Sequence, residues 1–281
     1  MAFLSHVDER VVAIDPFLVH YYDTDPASKG RSTIVLLHGT GGSADNNFRA
    51  LLPMLATRHR VVALTFEDPE ELQSDVAAYV AQTVGVINTI SGGEPVHLVG
   101  YSFGAVVAAE VAASKGDLVQ TLTLVAGWLK TDQHQQLRND LWQQLYKHDH
   151  PGLAAFSVFT GYSQHFINSL QPQELDELVE SVRMGPDRSK KMHINRAVDL
   201  SGVVGDITAP TLIVGCEQDA MAPIRHSHLL FGGIDNARLA RVSSGHAIVH
   251  ERPSELFVLI DDFVRDPAAV PAGTVLTTTH A

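Results

Sequence analysis

Apolar and polar positions divide the chain into short, nearly continuous apolar runs separated by stretches with helical spacing. The runs at 33–37, 60–66, 96–99, 121–126, 211–215 and 237–242 are short and rich in Val, Ile and Leu. Runs of that kind fit strands buried on both faces of a parallel sheet. Two shorter runs, 11–13 and 19–22, open the chain as strands and precede a turn cluster at 25–30. Helical periodicity is expected over 48–57, from an acidic first turn at Glu70 and Glu71 to about Ile90, after Gly104, and over 253–264. Strands alternating with helices predict an α/β chain with a mostly parallel central sheet and helices on both faces.

The alternation fails between Trp128 and Ala197, where the pattern is helical and no strand is expected. Segments of that length are rarely structureless in a compact domain. The stretch therefore reads as a helical lid insertion over the carboxyl ends of the strands, where open α/β sheets bind ligands. The expected organisation is a core of residues 1–127 and 198–265, a cap of 128–197 and a C-terminal tail of 266–281. Trp128, Trp142, Tyr146, Phe156, Phe159, Tyr162 and Phe166 are candidates to line a pocket beneath the cap, with Trp128, Trp142 and Phe159 placed against substrate. Packing of cap helices against one another is the competing role for each.

The most informative stretch is Val96-His97-Leu98-Val99-Gly100-Tyr101-Ser102-Phe103-Gly104-Ala105, a strand, a Gly-x-Ser-x-Gly turn and the start of an Ala/Val-rich helix. A lone motif of this type also describes a loop serine or a helix N-cap. Here the strand before it and the helix after it supply the context of a nucleophile elbow, with Ser102 exposed at a tight turn. A second glycine-rich turn, His38-Gly39-Thr40-Gly41-Gly42-Ser43, follows the buried run at 33–37. It lacks the spacing and the Lys of phosphate loops, so its expected use is to present backbone N–H groups to a developing oxyanion. Two acids, Glu217 and Asp219, lie just beyond the run at 211–215, and His246 lies just beyond the run at 237–242. All of these loops fall at one edge of the sheet.

Composition narrows the setting. The 281 residues are 45% hydrophobic, enough for one core, and Lys and Arg number 20 against 32 Asp and Glu, a net charge of −12. That balance argues against nucleic acid or an anionic membrane as a main partner, since both reward clustered Lys and Arg. The one cysteine, Cys216, cannot form an internal disulfide, and residues 1–6 lack the pattern of a signal peptide. A cytoplasmic location is the expectation, and so is a small-molecule, apolar acyl substrate.

The chain resembles the α/β-hydrolase superfamily over roughly residues 11 to 265, through His38-Gly39-Thr40-Gly41-Gly42, Gly100-Tyr101-Ser102-Phe103-Gly104, the acid loop through Asp219, and Gly245-His246. Serine, acid and histidine occur in the family's chain order. The loop after Phe66 departs from the pattern, because Glu67-Asp68-Pro69 stands where relatives often carry a glycine-rich turn. The resemblance implies the α/β-hydrolase fold and an acyl-serine mechanism without cofactor. His246 would take the Ser102 proton, and Asp219 would fix the imidazole tautomer. The backbone N–H groups of Phe103 and Thr40 would hold the oxyanion, with Gly41 the alternative second donor and a neighbour of the substrate. Asp219 is preferred to Glu217 because it lies deeper in the loop, and 246 − 219 = 27 residues matches the family's separation of acid and histidine.

Fifteen histidines raise the question of a metal. His148 with His150, His226 with His228, and His246 with His250 have chelating spacings, but none forms a His-Glu-x-x-His motif, and no metal is expected. Cys216 reads as a small buried residue. The expected activity is hydrolysis of a carboxylic ester or lactone, with an acyl thioester or a carbon–carbon bond as alternatives on the same triad. A lyase or ligand receptor on this fold is the non-hydrolytic alternative.

Overall fold

The computed structural model describes residues 7–25, 27, 31–73 and 75–277. The signal-peptide reading of residues 1–6, the end of the tail at 278–281 and part of the 25–30 turn lie outside the described residues. Nine strands form one sheet in the order β1-β2-β4-β3-β5-β6-β7-β8-β9. They are β1 (Asp8–Ile14), β2 (Phe17–Asp23), β3 (Thr33–Leu37), β4 (Arg60–Thr65), β5 (Val96–Tyr101), β6 (Val119–Val125), β7 (Thr211–Cys216), β8 (Ala237–Val242) and β9 (Val275–Thr277). The β1–β2 and β2–β4 pairs are antiparallel, and every other pair is parallel.

Successive side chains of a strand face opposite sides of the sheet, so the apolar runs feed two cores at once. In β3, Val35 and Leu37 face one core and Ile34 and Leu36 the other, and all four are buried. The first core includes residues of α3 (Ala77–Ser91), α4 (Phe103–Ser114) and α10 (Ile224–Gly233). The second includes residues of α1 (Ala44–Asn47), α2 (Leu51–Ala56), α11 (Ile248–Glu251) and α12 (Pro253–Arg265). The expected architecture of a mostly parallel sheet with helices on both faces is present. Truncating one fully buried leucine such as Leu36 to alanine costs about 2–5 kcal/mol in cores of this density.

Between β6 and β7 the chain forms α5 (Gln133–Lys147), α6 (Gly152–Gly161), α7 (Gln164–Ser169), α8 (Pro172–Arg183) and α9 (Ser189–Ile194). Lys130 and Asp199 form an isolated antiparallel bridge where this segment leaves and rejoins the core. Asp132 caps α5 by accepting from Gln135 N–H at 3.0 Å, and Ser163 caps α7 by accepting from Phe166 N–H at 3.1 Å.

Several expected boundaries differ. The helix expected over 48–57 is the shorter α2, which starts at Leu51 after the separate short α1, because Pro53 lacks an N–H and is tolerated only in a first turn. Glu70 and Glu71 do not begin a helix; α3 starts at Ala77. The preceding segment is held by side chains instead. The Gln82 amide bonds both Glu67 N–H at 2.9 Å and Glu67 O at 2.8 Å, and Lys190 Nζ donates to Pro69 O at 2.6 Å. Helix α10 is an addition to the expected elements. The tail is not irregular throughout, since β9 pairs in parallel with β8 through Leu239 and Val275.

Candidate active site

Ser102 ends the turn between β5 and α4 with φ 55 and ψ −117, a region that costs a side-chain-bearing residue strain. Its N–H donates to Val125 O at 2.8 Å, which ties the turn to β6. The flanking glycines are sterically required. A Cβ on Gly100 would overlap the Gly104 carbonyl oxygen, and one on Gly104 would overlap Leu37 O at the end of β3. That close approach draws the start of α4 against the His38–Gly42 loop. A Cβ on Gly39 would lie 3.2 Å from Ser102 Cβ.

The other candidate groups arrive from the ends of β7 and β8. His246 Nε2 lies 2.8 Å from Ser102 Oγ, and His246 Nδ1 lies 2.7 Å from Asp219 Oδ2. All three residues are buried. Asp219 Oδ1 accepts from Met221 N–H at 2.7 Å and Ala222 N–H at 2.8 Å, so the carboxylate is fixed through both oxygens. With Asp219 accepting at Nδ1, the Nδ1–H tautomer leaves Nε2 free to take a proton from the serine hydroxyl. Tyr101 donates its hydroxyl to His246 O at 3.1 Å, and Glu251 accepts from Gly245 N–H and from Ser163 N–H and Oγ–H, which holds the histidine loop against α7. Glu217, the competing acid, pairs with Arg241 at 2.6 Å instead.

In the glycine-rich loop, Gly39 N–H donates to Asn47 Oδ1 at 2.9 Å and Gly42 N–H to Gly39 O at 3.1 Å. The N–H groups of Thr40 and Gly41 donate to no other described residue, and Phe103, the first residue of α4, has no acceptor one turn back. These are the N–H groups available to an oxyanion. The Phe103 side chain is itself buried in the core, edge-on to Tyr79 at 5.0 Å. His38 clamps the loop. Phe66 N–H donates to its Nε2 at 2.9 Å, so Nδ1 carries the hydrogen and donates to Gly39 O at 2.8 Å. Burial, with Lys191 adding to it, lowers the His38 pKa to about 4, which keeps this ring neutral.

A cavity of about 180 Å³ opens over Ser102 and His246. Thr40, Gly41, Trp128 and Trp142 line it. Tyr162 lines it as well, and burial pushes its phenol up to about 12. Phe159 is a correction: it is 75% exposed and is not part of the wall, because α6 presents Ser157 and Gly161 there. Phe156 and Phe166 are also absent from the wall, and Tyr146 stacks on Trp142 at 5.0 Å in an adjoining cavity. The wall is more polar than an apolar acyl pocket would require.

Gln135, Arg138, Asn139, Ser157, Arg188 and Asn195 are among the cavity residues that sequence reasoning did not single out. A signal for some of them exists in α5. Gln135, Arg138, Asn139 and Trp142 recur at i, i+3, i+4 and i+7, the spacing of an inward stripe, whereas Leu137 and Leu141 are exposed. Asn195 ties this wall to the loop: its Nδ2 donates to Thr40 Oγ1 at 2.9 Å, while its backbone oxygen accepts from Thr131 Oγ1 at 2.5 Å.

No group of three or more His, Cys, Asp or Glu side chains suited to hold a metal occurs among the described residues. His226 faces Asp132 at 3.2 Å, and His250 bonds Tyr162 at 2.9 Å. Cys216 is buried, and burial raises its thiol well above the ordinary value. No described helix is long and apolar enough to cross a membrane.

Comparison with known proteins identifies the family. Pyrrolizixenacetamide deacetylase of Xenorhabdus hominickii is 26% identical over 243 residues, covering 82% of this chain and 90% of that protein. The 2-hydroxy-6-oxo-6-phenylhexa-2,4-dienoate hydrolase of Comamonas testosteroni is 25% identical, covering 90% and 93%. The crystal structure of the enol-lactonase from Burkholderia xenovorans LB400 superimposes with a TM-score of 0.79 at 16% identity, covering 92% of this chain and all of that one, a likeness of fold. The model of the alpha/beta hydrolase family matches residues 34–258, from β3 into α12, and the chain is therefore a hydrolase belonging to that family.

Proposed function

We propose that the protein is a serine hydrolase that cleaves a carboxylic ester or lactone through an acyl-Ser102 intermediate. The observation that carries this reading is the relay from Ser102 Oγ to His246 Nε2 at 2.8 Å and from His246 Nδ1 to Asp219 Oδ2 at 2.7 Å. His246 takes the hydroxyl proton as Ser102 attacks the carbonyl carbon. The tetrahedral oxyanion is held by the N–H groups of Phe103 and of Thr40 or Gly41, and the imidazolium returns its proton to the leaving oxygen. Water then repeats the sequence on the acyl-enzyme and releases the acid. Helices α5 to α9 act as a lid whose inner wall selects the substrate.

Carboxylic esters and lactones are favoured by the small cavity over Ser102 and by the enol-lactonase fold relative. The second reading is cleavage of a carbon–carbon bond next to a ketone on the same triad, favoured by the Comamonas testosteroni relative, a hydrolase of 2-hydroxy-6-oxo-6-phenylhexa-2,4-dienoate. Burst kinetics on 4-nitrophenyl acetate test the first. A burst of 4-nitrophenol equal to the enzyme concentration is expected, with Ser102→Ala folded and below about one per cent of wild-type turnover. An alanine variant that keeps the wild-type rate would refute the assignment.

A further inference from the structure

Two arginines are built into the wall of the cavity, Arg138 from α5 and Arg188 from the turn before α9, and no Asp or Glu lines it. In a chain of net charge −12 this is a local reversal of sign. Neither arginine forms a salt bridge among the described residues, although both are largely removed from water. Burial lowers both guanidinium pKa values, and for Arg188 the nearby Arg138 charge adds to the effect, bringing it to about 10.

Asp219 and Asp187 offset the two charges only from beyond salt-bridge distance, and cations without a directly bonded carboxylate in such a place cost stability, so their retention points to an anion that completes the site. Arg138 Nε and Trp142 Nε1 are buried donors without hydrogen-bond partners among the described residues. Arg188 is already positioned. Its Nη2 donates to Ser157 Oγ at 2.7 Å, its guanidinium carbon lies 5.2 Å from the Trp142 ring centre, and a Cβ on Gly41 would lie 3.1 Å from its Cδ. The last contact sets Arg188 against the same loop that carries the Thr40 and Gly41 N–H groups.

We infer that Arg138 and Arg188 bind a carboxylate of the substrate, a few bonds from the scissile carbonyl, and that the natural substrate is an acid-bearing ester or lactone. The guanidinium fork matches a carboxylate in two parallel hydrogen bonds. Because the protein as a whole is negative, long-range steering does not bring the anion in, and recognition is local to the cavity. The inference rests on the serine-hydrolase reading for the bond that is cut, and on the arginines alone for the anion.

The test separates the two. In the Ser102→Ala protein, calorimetry should show monomethyl adipate binding roughly tenfold or more tightly than dimethyl adipate. Adding Arg138→Gln or Arg188→Gln should remove most of that preference, and Arg188→Lys should restore part of it, with circular dichroism confirming each fold. In the active enzyme, kcat/KM for the 4-nitrophenyl monoester of adipic acid should exceed that for its methyl ester, and the ratio should fall towards one in the same variants. Equal binding of the two adipates, or a preference kept by both glutamine variants, overturns the proposal. Inorganic phosphate binding without monomethyl adipate binding overturns the assignment to a carboxylate. Charge-selective binding in a protein that cleaves no ester would sink the ester-hydrolase reading and leave the anion site standing.

Discussion

His38 makes the stability of the protein depend on acid in a way that can be worked out from its contacts. The ring is fully buried between Gly39 O and Phe66 N–H; the first bond needs Nδ1–H and the second needs a bare Nε2, so the pair requires the neutral Nδ1–H tautomer. A second proton on Nε2 would confront the Phe66 N–H. Burial, then the Lys191 charge, lowers the folded pKa from the ordinary 6.5 to about 4. The unfolded chain therefore binds a proton that the folded chain refuses, and stability falls as pH drops from 6.5 towards 4, being fully present above that window. The whole shift is worth about 3 kcal/mol, of which about 2 kcal/mol is lost by pH 5. His97, buried and bonded to Thr121 Oγ1 at 2.8 Å, is lowered to about 4 by burial and then by His59, and it adds a loss of the same sign. Urea unfolding at about pH 7 and pH 5 on the wild type and His38→Gln isolates the His38 share. The variant should be less stable at pH 7 by about 1–3 kcal/mol, the cost of an unmade buried hydrogen bond. Its further loss on acidification should be about 2 kcal/mol smaller than the wild type's. Equal losses on acidification in the two proteins would refute the reasoning.

The choice of acid is equally testable. Asp219→Asn should cost on the order of 10⁴ in turnover by favouring the wrong histidine tautomer, whereas Glu217→Gln, which removes only a partner of Arg241, should cost little when assayed on one activated ester. Trp142→Ala should change the discrimination between short and long acyl esters by about 1–3 kcal/mol, while Phe159→Ala, at an exposed position, should stay within about 0.5 kcal/mol in stability and leave the discrimination unchanged. A Phe159 effect equal to that of Trp142 would contradict the drawn wall.

Much of the fold was legible because it follows from one-dimensional pattern. Buried parallel strands such as β5 and β7 need continuous apolar runs, and the elbow needs glycine on both sides of Ser102, so each leaves a local mark. Asp219 and His246 were legible from the loops that follow β7 and β8, though only the folded structure brings them within 2.7 Å. What escaped was set by contacts distant in sequence. The segment after Phe66 has the composition of a helix start, yet Gln82 and Lys190 hold its backbone groups in another conformation. Phe159 and Trp142 both look like pocket aromatics, and only the orientation of α5 and α6 separates them. Arg138 and Arg188 lie 50 positions apart and become a pair only in the cavity.

The central claim is that Ser102 is the nucleophile and His246 its base. Mass spectrometry of the wild type after incubation with a fluorophosphonate tests it most directly. The account predicts one adduct per chain on the peptide that contains Ser102, none in Ser102→Ala, and a much slower reaction in His246→Ala. A folded wild type that stays unmodified, or an adduct on another residue at the same rate in the Ser102→Ala protein, would contradict it.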